Sequence, residues 1–308
     1  MRSLTEVWNY KNIYTTNVMS QEVKSTIIVE GKEDLSIYFG IVKSLEKNIN
    51  IKDISSCEGY IGKEGATYVM RFIEEMKNYS KDNNINFDNV ILGIVDRDSI
   101  CYKRKEEKEN KFLYVLDYYA IESYYVNKEV INKTLDRIII NPSLVNHKIV
   151  DMLWYEIKNK IIEKLYMISL EALKKSCDSK YDAITGYKPD CVENYISNID
   201  ESREKSLKEF SKAKKIDKNF DNMLNITKGK WLLSSFCQFY IEEVKNLKKL
   251  CKENIIKKCD RCINNLPDCL YNLKDKKLNR KDLQVYIILP LDNLSSLEPI
   301  KNRIKQLS

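Results

Sequence analysis

A single histidine, His147, stands among the 308 residues. One imidazole cannot build a histidine-based metal centre or, unaided, a Ser-His-Asp triad, so His147 is expected to be a surface or capping residue. Long apolar runs are also missing. None approaches the roughly 20 residues that a membrane span needs, and no membrane partner is expected. The opening, Met1 to Glu22, lacks the apolar core and the small-residue cleavage site of a signal peptide, which makes a cytoplasmic location the expectation. A disulfide framework is absent too: the nine cysteines are odd in number and scattered, and they read as reduced thiols. Nor does one sign of charge dominate. Fifty-two basic residues are interspersed with 45 acidic ones for a net +7, mostly as solvated helix surface, which favours nucleic acid over an acidic protein partner only slightly. No internal repeat of about 20 to 50 residues is evident.

What is present is the composition of a globular protein, 43% apolar and 31% charged, long enough for one large or two ordinary domains. After a lead-in over 1–23, a strand is expected at 24–30, a helix at 34–46 and a second strand at 49–57. A glycine-rich turn, Glu58-Gly59-Tyr60-Ile61-Gly62-Lys63-Glu64-Gly65, opens a helix over 66–79. A third strand over 88–95, a charged excursion over 99–111 and a fourth strand over 112–116 follow, and residues 117–125 read as the start of another helix. Such alternation predicts an α/β domain over 24–127: a four-stranded, mainly parallel sheet flanked by helices with right-handed crossovers. From 128 to 308 amphipathic segments take over, at about 143–176, 200–215, 221–250 and 251–264, with a loop over 177–190. That half is expected to be mainly α-helical and to serve nucleic-acid binding, dimerisation or partner docking. Residues 283–290 suit either a strand or the start of a last helix.

The candidate chemistry lies at two strand ends. Thr26-Ile27-Ile28-Val29 runs into Glu30-Gly31-Lys32-Glu33-Asp34, and Val90-Ile91-Leu92-Gly93-Ile94-Val95 runs into Asp96-Arg97-Asp98. Ligands of open α/β sheets bind beyond the carboxyl ends of the strands, where Glu30, Asp96 and Asp98 should fall. Carboxylates about 5 Å apart repel by roughly 3 kcal/mol per pair at an effective dielectric of 20. Protonation or a divalent cation must offset that cost, and oxygen-only donors favour Mg²⁺ or Mn²⁺ over zinc. In the glycine-rich turn, Gly62 and Lys63 are candidates to hold a substrate phosphate at a helix N-terminus, although the spacing is not that of a P-loop and an ordinary β-to-α turn reads as well. Cys251, Cys259, Cys262 and Cys269 could hold zinc, but their segment reads as amphipathic helix and lacks a paired knuckle.

Val29-Glu30-Gly31-Lys32-Glu33-Asp34 followed by Val95-Asp96-Arg97-Asp98 resembles the two motifs of the TOPRIM domain. Gly62-Lys63, Ile121-Glu122-Ser123-Tyr124 and Thr227-Lys228-Gly229-Lys230-Trp231 are similar to elements of a TOPRIM-like, ATPase-associated branch (overcoming-lysogenization-defect-like) that includes the effector nuclease of PARIS-type phage-defence systems. The resemblance implies that Glu30 is a general acid/base or metal ligand and that Asp96 and Asp98 bind Mg²⁺. It further implies that Glu122 completes the metal site and that Lys230 stabilises charge developing on a phosphate. Many TOPRIM domains carry a third acidic residue where this chain has Ile100, so a second metal would depend on Glu122. The implied activity is that of a toxin-like nuclease cleaving RNA, tRNA included, or DNA. The implied partners are an ABC/AAA-type ATPase and a second copy of the chain in a homodimer. Two alternatives stand beside it: a non-catalytic metal-binding or docking module of an ATPase complex, and a primase-like nucleotidyl transferase.

Overall fold

The computed structural model of the protein describes residues 25–84, 86–103, 110–188, 199–289 and 291–307. The expected lead-in, six residues of the charged excursion (104–109) and the end of the 177–190 loop lie outside them. The chain divides into two compact units. One comprises Met1–Arg97, Glu106–Asp117 and Ser295–Ser308; the other comprises Asp98–Lys105 and Tyr118–Leu294.

The first unit is built on β1 (Thr26–Val29), β2 (Asn50–Asp53), β3 (Ile91–Val95) and β4 (Leu113–Val115), in the order β2-β1-β3-β4 with every pairing parallel. Central β1 and β3 are buried along their whole length, which is why they read as unbroken apolar runs, whereas β2 alternates at the edge. Between the strands run α1 (Lys32–Ser44) and α2 (Ala66–Asn83). The first buries Ile37, Tyr38, Ile41 and Val42; the second buries Val69, Phe72, Ile73 and Met76, the three- and four-residue spacing of one helix face. Close approach of α2 to β3 requires Gly93, because a Cβ there would lie 2.8 Å from Ile73 Cγ1 and 3.1 Å from Val69 Cγ1. A helix from the far end of the chain, Glu298–Lys305, also belongs to this unit and packs on α1, with Lys47 donating to the Lys305 carbonyl at 2.8 Å.

In the second unit lie α3 (Ile100–Lys103), α4 (Lys128–Ile138), α5 (His147–Cys177), α6 (Glu201–Lys214), α7 (Phe220–Ile226), α8 (Gly229–Lys252), α9 (Asp260–Ile263) and α10 (Arg280–Ile288); the Glu298–Lys305 helix of the first unit is α11. Helix α5 starts at an Asn146 cap whose side chain accepts from the Ile149 amide, and exposed His147 is its first residue. The α5–α8 pair forms the centre, with α4, α6 and α7 on α5 and α10 on α8.

Several boundaries differ from the sequence expectation, each for a local reason. The segment read as a helix start at 117–125 is a 3₁₀ turn over Ile121–Tyr125. The span 221–250 is two helices, broken at Thr227, whose buried hydroxyl pairs with Ser169 Oγ at 3.0 Å. The expected helix over 251–264 is not continuous: α8 ends at Lys252, Asn254 adopts a left-handed φ of 60°, and helical structure resumes only over Asp260–Ile263. Residues 283–288, undecided from periodicity, belong to helix α10.

Candidate functional site

In the first unit, β1 and β3 pair in parallel through Thr26↔Ile91 and Ile28↔Gly93, so the residues after Val29 and Val95 leave the sheet at the same end. There the Asp96 amide donates to Glu30 Oε1 at 2.6 Å, a charge-assisted bond that ties the two strand ends together. Gly31 caps α1 and donates its amide to Asp34 Oδ2 at 3.1 Å, and the Gly65 amide donates to the Glu30 carbonyl at 3.1 Å. This second bond fastens the end of the Glu58–Gly65 turn beside β1. Glu64 comes with it, its carboxylate 3.9 Å from where a Gly31 Cβ would sit.

Asp34 and Glu64 are thus acidic groups at this edge that were not singled out from the sequence. For Asp34 the signal existed, as the fourth residue of a Gly-x-x-Asp helix start; for Glu64 there was none. The two phosphate candidates lie in the exposed part of the turn, where Gly62 adopts a φ of 73°. The Lys63 ammonium folds back on its own turn, 3.2 Å from the Gly59 carbonyl and 5.6 Å from the ring centroids of both Tyr60 and Tyr68.

The other candidates belong to the second unit. Asp98 holds a left-handed φ of 47°, and its amide donates to the Tyr119 carbonyl at 2.9 Å. Burial pushes its carboxyl pKa up, opposed by a hydrogen bond from Tyr119 and by the charges of Lys103 and Lys228. Tyr119 packs at a tilt against Tyr187 with ring centroids 5.0 Å apart, and Tyr187 likewise against Trp231 at 5.8 Å. The hydroxyl of half-buried Tyr187 donates to the Ile226 carbonyl at 2.6 Å. Lys228 thus brings a positive charge from the Thr227–Lys230 element to Asp98, and Lys230 is exposed in the first turn of α8. Glu122 lies against the same turn. A Cβ on Gly229 would run into Glu122 Oε2 and would approach Ala120 Cβ to 2.8 Å, so glycine is what lets the carboxylate reach the helix start.

The raised pKa of Asp98 carries a stability consequence whose sign is definite. An acid that holds its proton more tightly in the folded chain than at its ordinary value of 3.8 lowers stability as pH rises through the interval between those two values, and the full penalty remains above it. Asp98→Asn keeps an acceptor for Tyr119 and a side chain tolerant of the left-handed region. In chelator at pH about 7, the variant is expected to be more stable than wild type by about 0.5–2 kcal/mol, the range of ordinary stabilising substitutions. The advantage should disappear once pH falls below the ordinary value. Urea unfolding across that pH range checks this; a variant less stable at neutral pH contradicts the dominance of burial.

Among the described residues, the group of three or more potential metal ligands whose donor atoms gather within 4.8 Å is Cys251, Cys259, Cys262 and Cys269. No family model matches this chain, and no curated protein matches it.

Proposed function

We propose that the protein is a divalent-metal-dependent nuclease of TOPRIM type, acting on the phosphodiester bonds of RNA, tRNA included, or of DNA. What supports the reading is the hydrogen bond at 2.6 Å between Glu30 Oε1 and the Asp96 amide, which joins the ends of two adjacent parallel strands at the edge where α/β sheets take their ligands. The donor set also fits the cofactor. Glu30 and Asp96 offer hard oxygen atoms, as Mg²⁺ or Mn²⁺ prefers, and the resemblance assigns Asp98 and Glu122 to the same task. Bound there, a divalent cation would neutralise the negative charge that phosphate oxygens gain during cleavage.

The chain's own groups divide the remaining work. Glu30 moves a proton at the attacking oxygen, and the Asp96 amide fixes its carboxylate in orientation. Lys228 and Lys230, on either side of Gly229, offer two ammonium groups to the substrate's phosphates. Tyr119 hydrogen-bonds Asp98 and is itself backed by Tyr187, which packs against Trp231. A role as a defence effector checked by a partner ATPase rests on the resemblance of the sequence motifs.

The test is incubation of the purified chain with total cellular nucleic acid and Mg²⁺ or Mn²⁺, followed by sequencing of the ends produced. Cleavage is expected with metal, none with chelator, and recovery when metal is restored. Absence of hydrolysis under every metal would instead favour a docking module. Incorporation of nucleotides on a template would favour nucleotidyl transfer.

A further inference from the structure

Four buried thiols converge in the second unit, none of them among the residues given a role above. Cys251 sits in the last turn of α8, Cys259 caps α9, Cys262 lies within it, and Cys269 follows in the next turn; their relative exposures are 0%, 1%, 9% and 2%. All four sulfur atoms lie within 4.8 Å of one another, and Cys259 Sγ is 3.7 Å from Cys269 Sγ. Four sulfurs placed tetrahedrally about one ion at the zinc–thiolate distance of about 2.3 Å are roughly 3.8 Å apart. A bonded disulfide would need about 2.05 Å. The observed 3.7 Å matches ligands around a single ion, and sulfurs all within 4.8 Å leave no room for a polynuclear iron–sulfur cluster between them.

Backbone donors already face the sulfurs. The Cys259 amide donates to Cys251 Sγ at 3.3 Å and the Leu270 amide to Cys259 Sγ at 3.5 Å, bonds that favour the deprotonated form a metal requires. Charge in the flanking sequence is only slightly of the complementary sign: Lys252, Lys257, Lys258 and Arg261 lie among the cysteines with Glu253, Asp260 and Asp268, whereas one divalent ion with four thiolates carries a net −2.

The surrounding segment also needs a staple. Between the end of α8 at Lys252 and the start of α10 at Arg280, its one α-helix is the four-residue α9. Three non-glycine residues there, Asn254, Asn265 and Asp268, take left-handed backbone. Ile255, Ile263 and Leu266 are more than half exposed, and the apolar side chains the segment buries besides its three thiols are Tyr271, Leu273 and Leu278. Yet it is held to a fixed register against the end of α4, through Ile140 N–H to the Asn272 carbonyl at 2.9 Å, Asn141 N–H to Leu270 at 3.1 Å and Lys274 N–H to Ile138 at 2.8 Å. Loops this poor in core are ordinarily fixed by a disulfide or a metal.

We propose that Cys251, Cys259, Cys262 and Cys269 hold one structural zinc ion that fixes the segment between α8 and α10. With all four positions filled by protein sulfur, the ion has no open position and does no chemistry on a substrate.

The full chain, purified under reducing conditions without added metal, is expected to contain about one zinc per chain by elemental analysis. Exchange for Co²⁺ should give the strong visible bands of a tetrahedral site together with thiolate-to-cobalt charge transfer. Cys262→Ser and Cys269→Ser should each lose most of the zinc and become cleavable by trypsin at Lys257, Lys258 or Arg261, whereas Cys101→Ser keeps the metal. The cobalt spectrum reads the wild-type site directly, so a variant that fails to fold does not remove the test. The proposal is overturned by a protein that is metal-free as isolated and gives no tetrahedral cobalt spectrum, by iron in place of zinc, or by a Cys259–Cys269 disulfide in the intact mass.

Discussion

Glu30→Gln is expected to lower phosphodiester cleavage by about 10²–10⁴-fold, the range for loss of a positioned proton-transfer group, with the unfolding midpoint unchanged. The substitution is informative because of what it leaves in place. A glutamine oxygen can still accept from the Asp96 amide, so the bond that joins the ends of β1 and β3 survives and the charge alone is lost. Asp96→Asn should fall as far in activity, since its own backbone amide, not its side chain, makes that bond. If both carboxylates act only as the reaction proceeds, kcat and kcat/KM should fall together with KM little altered. Glu64→Gln supplies the comparison: its carboxylate belongs to the same acidic edge but has no part in the proposed chemistry, and its activity should stay near wild type. Full cleavage by the Glu30→Gln protein would refute the assigned roles; a drop of similar size in Glu64→Gln would mean that net charge at the edge, rather than a particular carboxylate, is what matters.

The parts of this arrangement that could be read from sequence are those whose signal is local. Buried parallel strands write themselves as apolar runs, so β1 and β3 and the carboxylates that end them were legible, as were the helical faces of α1 and α2. What escaped depends on contacts remote in sequence. Nothing in the local composition of Glu298–Lys305 indicates that it packs on α1 rather than on the helices before it. In Thr227-Lys228-Gly229-Lys230 the motif marked the right turn, but that Lys228 brings its charge to Asp98 depends on where α8 starts. The four cysteines are visible as a cluster, but 251–264 reads as helix and lacks a paired knuckle; the left-handed Asn254 interrupts that helix and folds Cys259 back onto Cys251.

Arg203→Met is expected to cost about 3–5 kcal/mol of stability, the penalty for leaving a buried carboxylate without the half-buried guanidinium that pairs with it. Glu171 is wholly buried in α5, and its oxygens accept from the Tyr181 hydroxyl at 2.7 Å, the Ile184 amide at 2.8 Å and Arg203 Nη1 at 2.7 Å. Arg203 also donates to the Asp182 carbonyl at 2.7 Å, so one guanidinium on α6 holds both the carboxylate and the chain that follows α5. Removing it strands Glu171 in the interior. Removing both, as Glu171→Met with Arg203→Met, takes away the charge as well and should recover part of the loss, though the Ile184 amide then lacks its acceptor. The effect should reach the candidate site, because the pinned stretch from Asp178 onward carries Tyr187, which packs against Tyr119, the residue that hydrogen-bonds Asp98. Urea unfolding of the single and double variants measures the coupling, and Tyr187 burial can be followed by its fluorescence transfer to Trp231. A single-variant loss under about 1 kcal/mol would put the pair in the class of exposed ion pairs and would detach this loop from the surroundings of Asp98.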